Sequence, residues 1–202
     1  MKKAQYIIGI DEVGRGPVAG PVTVGAVCMP QAVYSWKDFR GLKDSKKLTE
    51  EARELWFARL RGMEDVSYST TSIKEAYIDT HGIVPAINKA LAQSLRKLNV
   101  APEECLVLLD GGLLAPSVYV QQKTIIKGDE KEYVIALASI MAKVTRDRKM
   151  VRFSKEFPQY GFEAHKGYGT AQHYHALKKH GICPLHRKSF LKRSRASAGN
   201  PL

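Results

Sequence analysis

A chain of 202 residues, 44% hydrophobic and 26% charged, has the composition of an ordinary globular protein and the length to bury one substantial core. No apolar run approaches the ~20 residues of a membrane span, no signal-peptide pattern opens the chain, and three scattered cysteines argue against a disulfide framework or zinc site, so a reducing cytoplasm is expected. The net charge of +12 is unevenly spread: residues 143–202 carry 14 Lys/Arg against 3 Asp/Glu, and residues 1–142 carry 18 against 17.

Residues 6–11 form a β-branched run that reads as a buried strand. It ends in two adjacent carboxylates, Asp11 and Glu12, and Gly14-Arg15-Gly16 follows at once. Acidic oxygens beside a cationic turn that exposes its backbone suit chemistry on a phosphodiester. Neighbours in a strand point to opposite faces, so the two acids share a site only if the strand breaks there, and the glycines allow a break. Gly14-x-Gly16-x-x-Ala19 loosely matches a dinucleotide-binding fingerprint. That motif must open a helix, yet Pro17, Gly20 and Pro21 follow.

Val22, Val24, Ala26 and Cys28 alternate as a second strand, and residues 41–48 make a polar loop that holds Lys46 and Lys47. A helix opens at Thr49 and runs over 50–60, a third strand covers 66–72, and helical spacing marks 84–98. Residues 106–110 are a central strand that ends at Asp110 before Gly111-Gly112. Asp11 and Asp110 thus stand at carboxyl ends of central strands, where ligand sites collect in open α/β sheets. Two such acids repel, and a divalent cation between them resolves the repulsion; hard oxygen donors favour Mg²⁺ or Mn²⁺.

A long helix is predicted over 130–153, with Asp129 before it and Glu132 three residues on, the spacing of an N-cap. Helix 171–180 stops at Gly181, a short basic helix follows over 189–195, and 196–202 is expected to fray. Flanking glycines expose Tyr168 for stacking on a sugar or base, and the six histidines, lacking metal-ligand spacing, read as surface or phosphate-proximal. The localised basic surface suggests a polyanionic partner, nucleic acid before an anionic membrane, and the interleaved Tyr160, Phe162, Tyr168 and Tyr174 favour nucleic acid over a basic face kept for solubility. The expected organisation is an α/β domain over 1–153 and a basic, helical, substrate-binding extension over 154–202 packed on it.

Taken together, GIDEVGRGPVAGPV (9–22), LKDSKKL (42–48), LLDGG (108–112), KGDEKEYVIALASIMAKVTRDR (127–148), YGFEAHKGYGT (160–170) and HRKSF (186–190) resemble bacterial ribonuclease HII, a type 2 ribonuclease H. The resemblance implies an RNase H-like fold with a central mixed five-stranded sheet flanked by helices. It implies four active-site acids, Asp11, Glu12, Asp110 and Asp129, holding two Mn²⁺ or Mg²⁺ ions. The implied reactions are hydrolysis of the RNA strand of RNA–DNA hybrids and incision 5′ of single ribonucleotides embedded in duplex DNA, leaving 3′-hydroxyl and 5′-phosphate ends. Gly14, Arg15 and Gly16 would contact the 2′-hydroxyl and adjacent phosphate through their backbone, and Tyr168 would read the RNA–DNA junction. Lys46 and Lys127 fall in its motifs as further substrate contacts, and a monomer is expected. The competing readings are a catalytically silent hybrid-binding module and a nuclease of the same fold that cuts all-DNA substrates.

Overall fold

The computed structural model describes residues 4–33, 39, 42 and 48–191. Lys46, Lys47 and most of the predicted 41–48 loop lie outside the described residues, as do 192–202. Five strands form one mixed sheet: β1 (Tyr6–Val13), β2 (Val22–Pro30), β3 (Ser67–Ile73), β4 (Cys105–Asp110) and β5 (Gln122–Ile125). Their order is β3-β2-β1-β4-β5; β1 pairs antiparallel with β2 and parallel with β4. The sheet thus has the expected mixed five-stranded form, with β1 at its centre.

Helices cover both faces. On one lie α2 (Glu75–His81) and α3 (Ile83–Leu98), with Ile87, Leu91, Leu95 and Leu98 packed on Ile8, Ile10, Val24 and Val107. The other face carries α1 (Glu50–Arg61), the single turn α4 (Gly128–Lys131) and the 24-residue α5 (Tyr133–Glu156). The Thr49 side chain caps α1 by accepting from the Ala52 N–H at 3.2 Å. Two glycines allow α5 to lie against the sheet at backbone distance: a Cβ on Gly9 would sit 2.2 Å from Val134 O, and one on Gly25 2.2 Å from Ala138 O. Beyond α5, α6 (Phe162–His165) and α7 (Ala171–His180) enclose a third cluster around Met150, Tyr160, Phe162 and Leu177.

Several expectations are corrected. The strand β1 does not break at Asp11; its pairing with β2 continues through Val13↔Thr23. The long helix starts at Tyr133, because Glu132 is extended (φ −127°, ψ 112°) and separates it from α4. Asp129 is therefore not an N-cap. It sits in the first turn of α4, whose N-cap is Lys127 in the left-handed region, and Glu132 makes no side-chain capping bond. Helix α7 has its predicted bounds, whereas the last helix begins one residue early, at 188, and is described only to 191. Asp79 caps it, accepting from the Lys188 and Ser189 N–H groups at 2.9 Å each.

Candidate active site

The register of the two central strands brings the first acids together. Ile10 pairs with Leu109 as the last rung between β1 and β4, so Asp11 and Asp110 occupy the next position side by side. Both point to the α5 face, the face of Ile7 and Leu108. Pleating sends Glu12 the other way, yet Glu12 lines the same cavity. Since β4 stops at Asp110 and β1 runs on to Val13, the edge of β1 is open there, and side chains from both faces reach one space.

That cavity holds about 440 Å³. Its walls come from Asp11, Glu12 and Asp110, from the Gly14-Arg15-Gly16 turn, from Ser139 and Lys143 on α5, from Arg53 on α1, and from Tyr168. The sequence reading did not single out Arg53, Ser139 and Lys143. The available signal was the polar pair Ser139 and Lys143, one turn apart inside an otherwise apolar stretch of helix.

Burial pushes the Asp11 carboxyl up to about 8; the neighbouring Asp110 and Glu12 charges add to the rise, and the Ser139 hydroxyl and the Glu12 amide oppose it. Burial raises Glu12 as well, against the pull of Arg15, whose Nη1 lies 3.3 Å from Glu12 Oε1. Asp110 Oδ1 accepts from the Gly128 N–H at 2.7 Å. Asp129 follows that residue, 1% exposed, and is not among the cavity-lining residues. Lys127 turns to solvent and pairs with Glu130 at 3.5 Å, also away from the cavity lining.

Among the described residues no group of three or more His, Cys, Asp or Glu side chains is gathered closely enough to hold a metal ion as the side chains stand. The donor chemistry fits a hard divalent cation nonetheless. Three carboxylates face one open cavity, and their mutual repulsion and burial hold Asp11 in a state that a cation would relieve.

Two arginines with 0% exposure lie behind the Gly14-Arg15-Gly16 turn: Arg187 bonds the turn itself and Arg146 the adjoining 19–21 segment. Arg187 donates through Nη2 to Gly14 O at 2.7 Å, through Nη1 to Arg15 O at 3.1 Å and through Nε to Gly20 O at 2.9 Å. Arg146 donates to Pro21 O at 2.9 Å and Ala19 O at 3.2 Å, and its guanidinium lies 5.9 Å from the centre of the Tyr168 ring. A trans peptide points its C=O and the following N–H in opposite directions. With the Gly14 and Arg15 carbonyls turned inward to Arg187, the Arg15 and Gly16 N–H groups face outward. Gly16 has open space at its Cβ position, whereas a Cβ on Gly14 (φ +92°) would meet Arg146 Nε at 2.3 Å. The Tyr168 ring, 43% exposed, stands across from this turn as the flanking glycines suggested.

The histidines depart from expectation: His165, His173 and His186 are buried behind Tyr168 rather than on the surface. All three cysteines are buried and free. Among the described residues no helix is long and apolar enough to cross a membrane.

The chain is similar to known proteins in sequence and in fold. The family model for ribonuclease HII matches residues 8–193. A ribonuclease HII from Ruminiclostridium cellulolyticum is 46% identical over 187 residues, covering 93% of this chain and 70% of the relative. Among solved structures, the ribonuclease H2 from Pyrococcus horikoshii OT3 superposes with a TM-score of 0.76 at 23% identity, covering 97% of this chain and all of that one. Bst ribonuclease HIII in complex with Mn²⁺ gives 0.73 at 20% identity, covering 97% of this chain and 70% of that one. At those identities the two structures speak for the fold alone.

Proposed function

The chain belongs to the ribonuclease HII family, whose members are metal-dependent hydrolases that cleave the RNA of RNA–DNA hybrids, and we propose that it also incises duplex DNA 5′ of single embedded ribonucleotides. The observation that carries this reading is the single cavity shared by three acids, a turn with outward N–H groups and an exposed tyrosine.

Asp11, Glu12 and Asp110 are the residues that would hold divalent cations, Mg²⁺ or Mn²⁺; their hard oxygen donors support that choice. Asp129 is proposed as a fourth donor, on the strength of its place next to Gly128, whose N–H binds Asp110. Bound there as a pair, such ions supply Lewis acidity toward the scissile phosphate and toward an attacking water.

The protein's own groups do the rest. The Arg15 and Gly16 N–H groups meet the ribose 2′-hydroxyl and the adjacent phosphate, and a deoxyribonucleotide lacks the first of these partners. Tyr168 packs on the sugar at the RNA–DNA junction. Lys143 and Arg53, on the cavity wall, neutralise neighbouring phosphates. No histidine lines the cavity, so among the described residues Asp11, Glu12 and Asp110 are its conventional proton acceptors.

A nicking assay on a duplex with one ribonucleotide tests the proposal. The enzyme should leave 3′-hydroxyl and 5′-phosphate ends, stop when divalent ions are chelated, and spare the all-DNA duplex. Asp110→Asn should lower turnover at least ~10³-fold with hybrid affinity nearly unchanged, as expected for a group acting on the reacting atoms. Normal turnover by that variant would remove Asp110 from the site.

A further inference from the structure

Behind the Tyr168 turn, three buried imidazoles are joined so that each tautomer is determined. The Cys183 N–H, which can only donate, points at His186 Nδ1 at 2.9 Å, so that nitrogen accepts and the His186 proton sits on Nε2. The Cys183 carbonyl, also near Nδ1, is served instead by the His186 N–H at 3.0 Å. His186 Nε2–H then faces His173 Nε2 at 3.0 Å, which must accept. The His173 proton therefore sits on Nδ1, 2.9 Å from the carbonyl oxygen of Tyr168. His165 is stacked on His173 with ring centres 4.3 Å apart. Its Nδ1 accepts from the Gly167 N–H at 3.2 Å, and its Nε2 donates to Tyr160 O at 2.7 Å.

We propose that His186, acting through His173, is a positioning residue that orients the Tyr168 ring at the cavity. Every donor in the chain Cys183 N–H, His186, His173, Tyr168 O has one acceptor, and the last bond falls on the backbone of the residue whose ring enters the cavity. The Thr170 N–H shares the Tyr168 carbonyl at 2.9 Å, so the peptide is fixed from two directions. Both neighbours in the chain are confined too: a Cβ on Gly167 would lie 2.3 Å from Ala19 O, and one on Gly169 2.9 Å from Tyr174 Cε2. The next residue after His186 is Arg187, which pins the opposing Gly14-Arg15-Gly16 turn. One dipeptide thus sets both walls of the corner that reads ribose: His186 the tyrosine wall, Arg187 the turn. A merely space-filling role would require neither the proton order nor the adjacency.

This proposal rests on Tyr168 acting at the junction, and the test separates the two ideas. The full-length enzyme is taken through a double-mutant cycle, reading kcat/KM for incision at one embedded ribonucleotide. Tyr168→Ala should lose at least ~10-fold; His173→Leu should lose a comparable factor alone but less than ~2-fold more in the Tyr168→Ala background, because its effect runs through that ring. His173→Asn keeps an N–H near the Nδ1 position and should recover most of the loss. Additive losses overturn the relay and leave the junction reading standing. Unchanged incision by Tyr168→Ala overturns the junction reading and, with it, this positioning role. Should His173→Leu fail to fold, nitrogen-resolved NMR of the unaltered protein decides: Nε2–H on His186 with Nδ1–H on His173 supports the relay, and the reverse tautomers overturn it.

Discussion

Gly14 and Gly16 flank the same arginine, but different neighbours constrain them. Alanine at Gly14 must take a left-handed φ of +92° and displace Arg146 Nε from 2.3 Å, so Gly14→Ala should destabilise the fold by about 2 kcal/mol and lose incision as the turn shifts. At Gly16 nothing lies within 4 Å of an added Cβ. Gly16→Ala should therefore melt within about 2 °C of the wild type, yet lose ~10-fold or more in kcat/KM, because the methyl stands where the substrate backbone approaches. Thermal unfolding beside the nicking assay checks both; a Gly16→Ala enzyme with unaltered kinetics would contradict backbone contact at that turn. The turn itself was legible, since two glycines around an arginine after a strand end expose the backbone, and Pro17, Gly20 and Pro21 exclude the helix that a dinucleotide fingerprint needs. The groups that hold it were not. Arg187 reaches it across 173 residues of chain and Arg146 braces Pro21 just beyond it across 125, and in the sequence they look like any other cation of a basic segment.

Among the elements, those with strong local pattern were readable: β1, β2, β4, α3 and α7 follow from apolar periodicity and capping. β5 was not, because Gln122–Ile125 is a short edge strand with two exposed residues and no alternation. The placement of Asp11 beside Asp110 was foreseen from strand ends, but Glu12 reaches the cavity because β1 outruns β4, a matter of pairing that single segments do not reveal. The three histidines were misread for a related reason: their spacing carries no ligand signature, and only α6, α7 and the 183–187 segment folded together make them neighbours.

Their burial has a consequence for pH. His173 is held at about 4 against an ordinary 6.5, chiefly by burial, and His186 is lowered likewise; the stacked His165 adds to both shifts, and the Tyr160 ring packs edge-on to His186 at 4.9 Å. Between those values the unfolded chain takes up protons that the folded chain refuses. Stability should thus rise with pH across that window, be complete above about 6.5, and fall as pH drops toward 4. Asp11, raised to about 8, has the opposite slope, since the folded state keeps its proton longer. Comparing urea unfolding of wild type and His173→Asn isolates the histidine contribution, expected at about 2 kcal/mol between pH 6.5 and 4.5. Parallel profiles would mean that the cluster is not kept neutral by folding.

At the scale of the whole molecule the question is how a protein with charge concentrated in its last third holds a duplex. The active-site cavity shares Arg53 with a second groove between α1 and α5, lined by Arg148 and Arg152. A cationic track thereby runs from Arg15 past Lys143 and Arg53 to Arg152, although Lys143 and Arg148 are partly engaged by Asp147 and Glu54. If about five of these cations meet phosphates, the logarithm of affinity should fall with the logarithm of salt at a slope near −4.5, a loss of roughly 10²–10³-fold between 50 and 200 mM. Arg152→Ala should weaken binding equally to hybrid and all-DNA duplexes and reduce the slope by about one, because a phosphate contact carries no sugar information. Tyr168→Ala should do the reverse, leaving the slope intact while incision fails. Charge would then supply the grip and the corner around Tyr168 the choice of sugar, and a flat salt titration would mean that contacts between these cations and phosphates do not supply the grip.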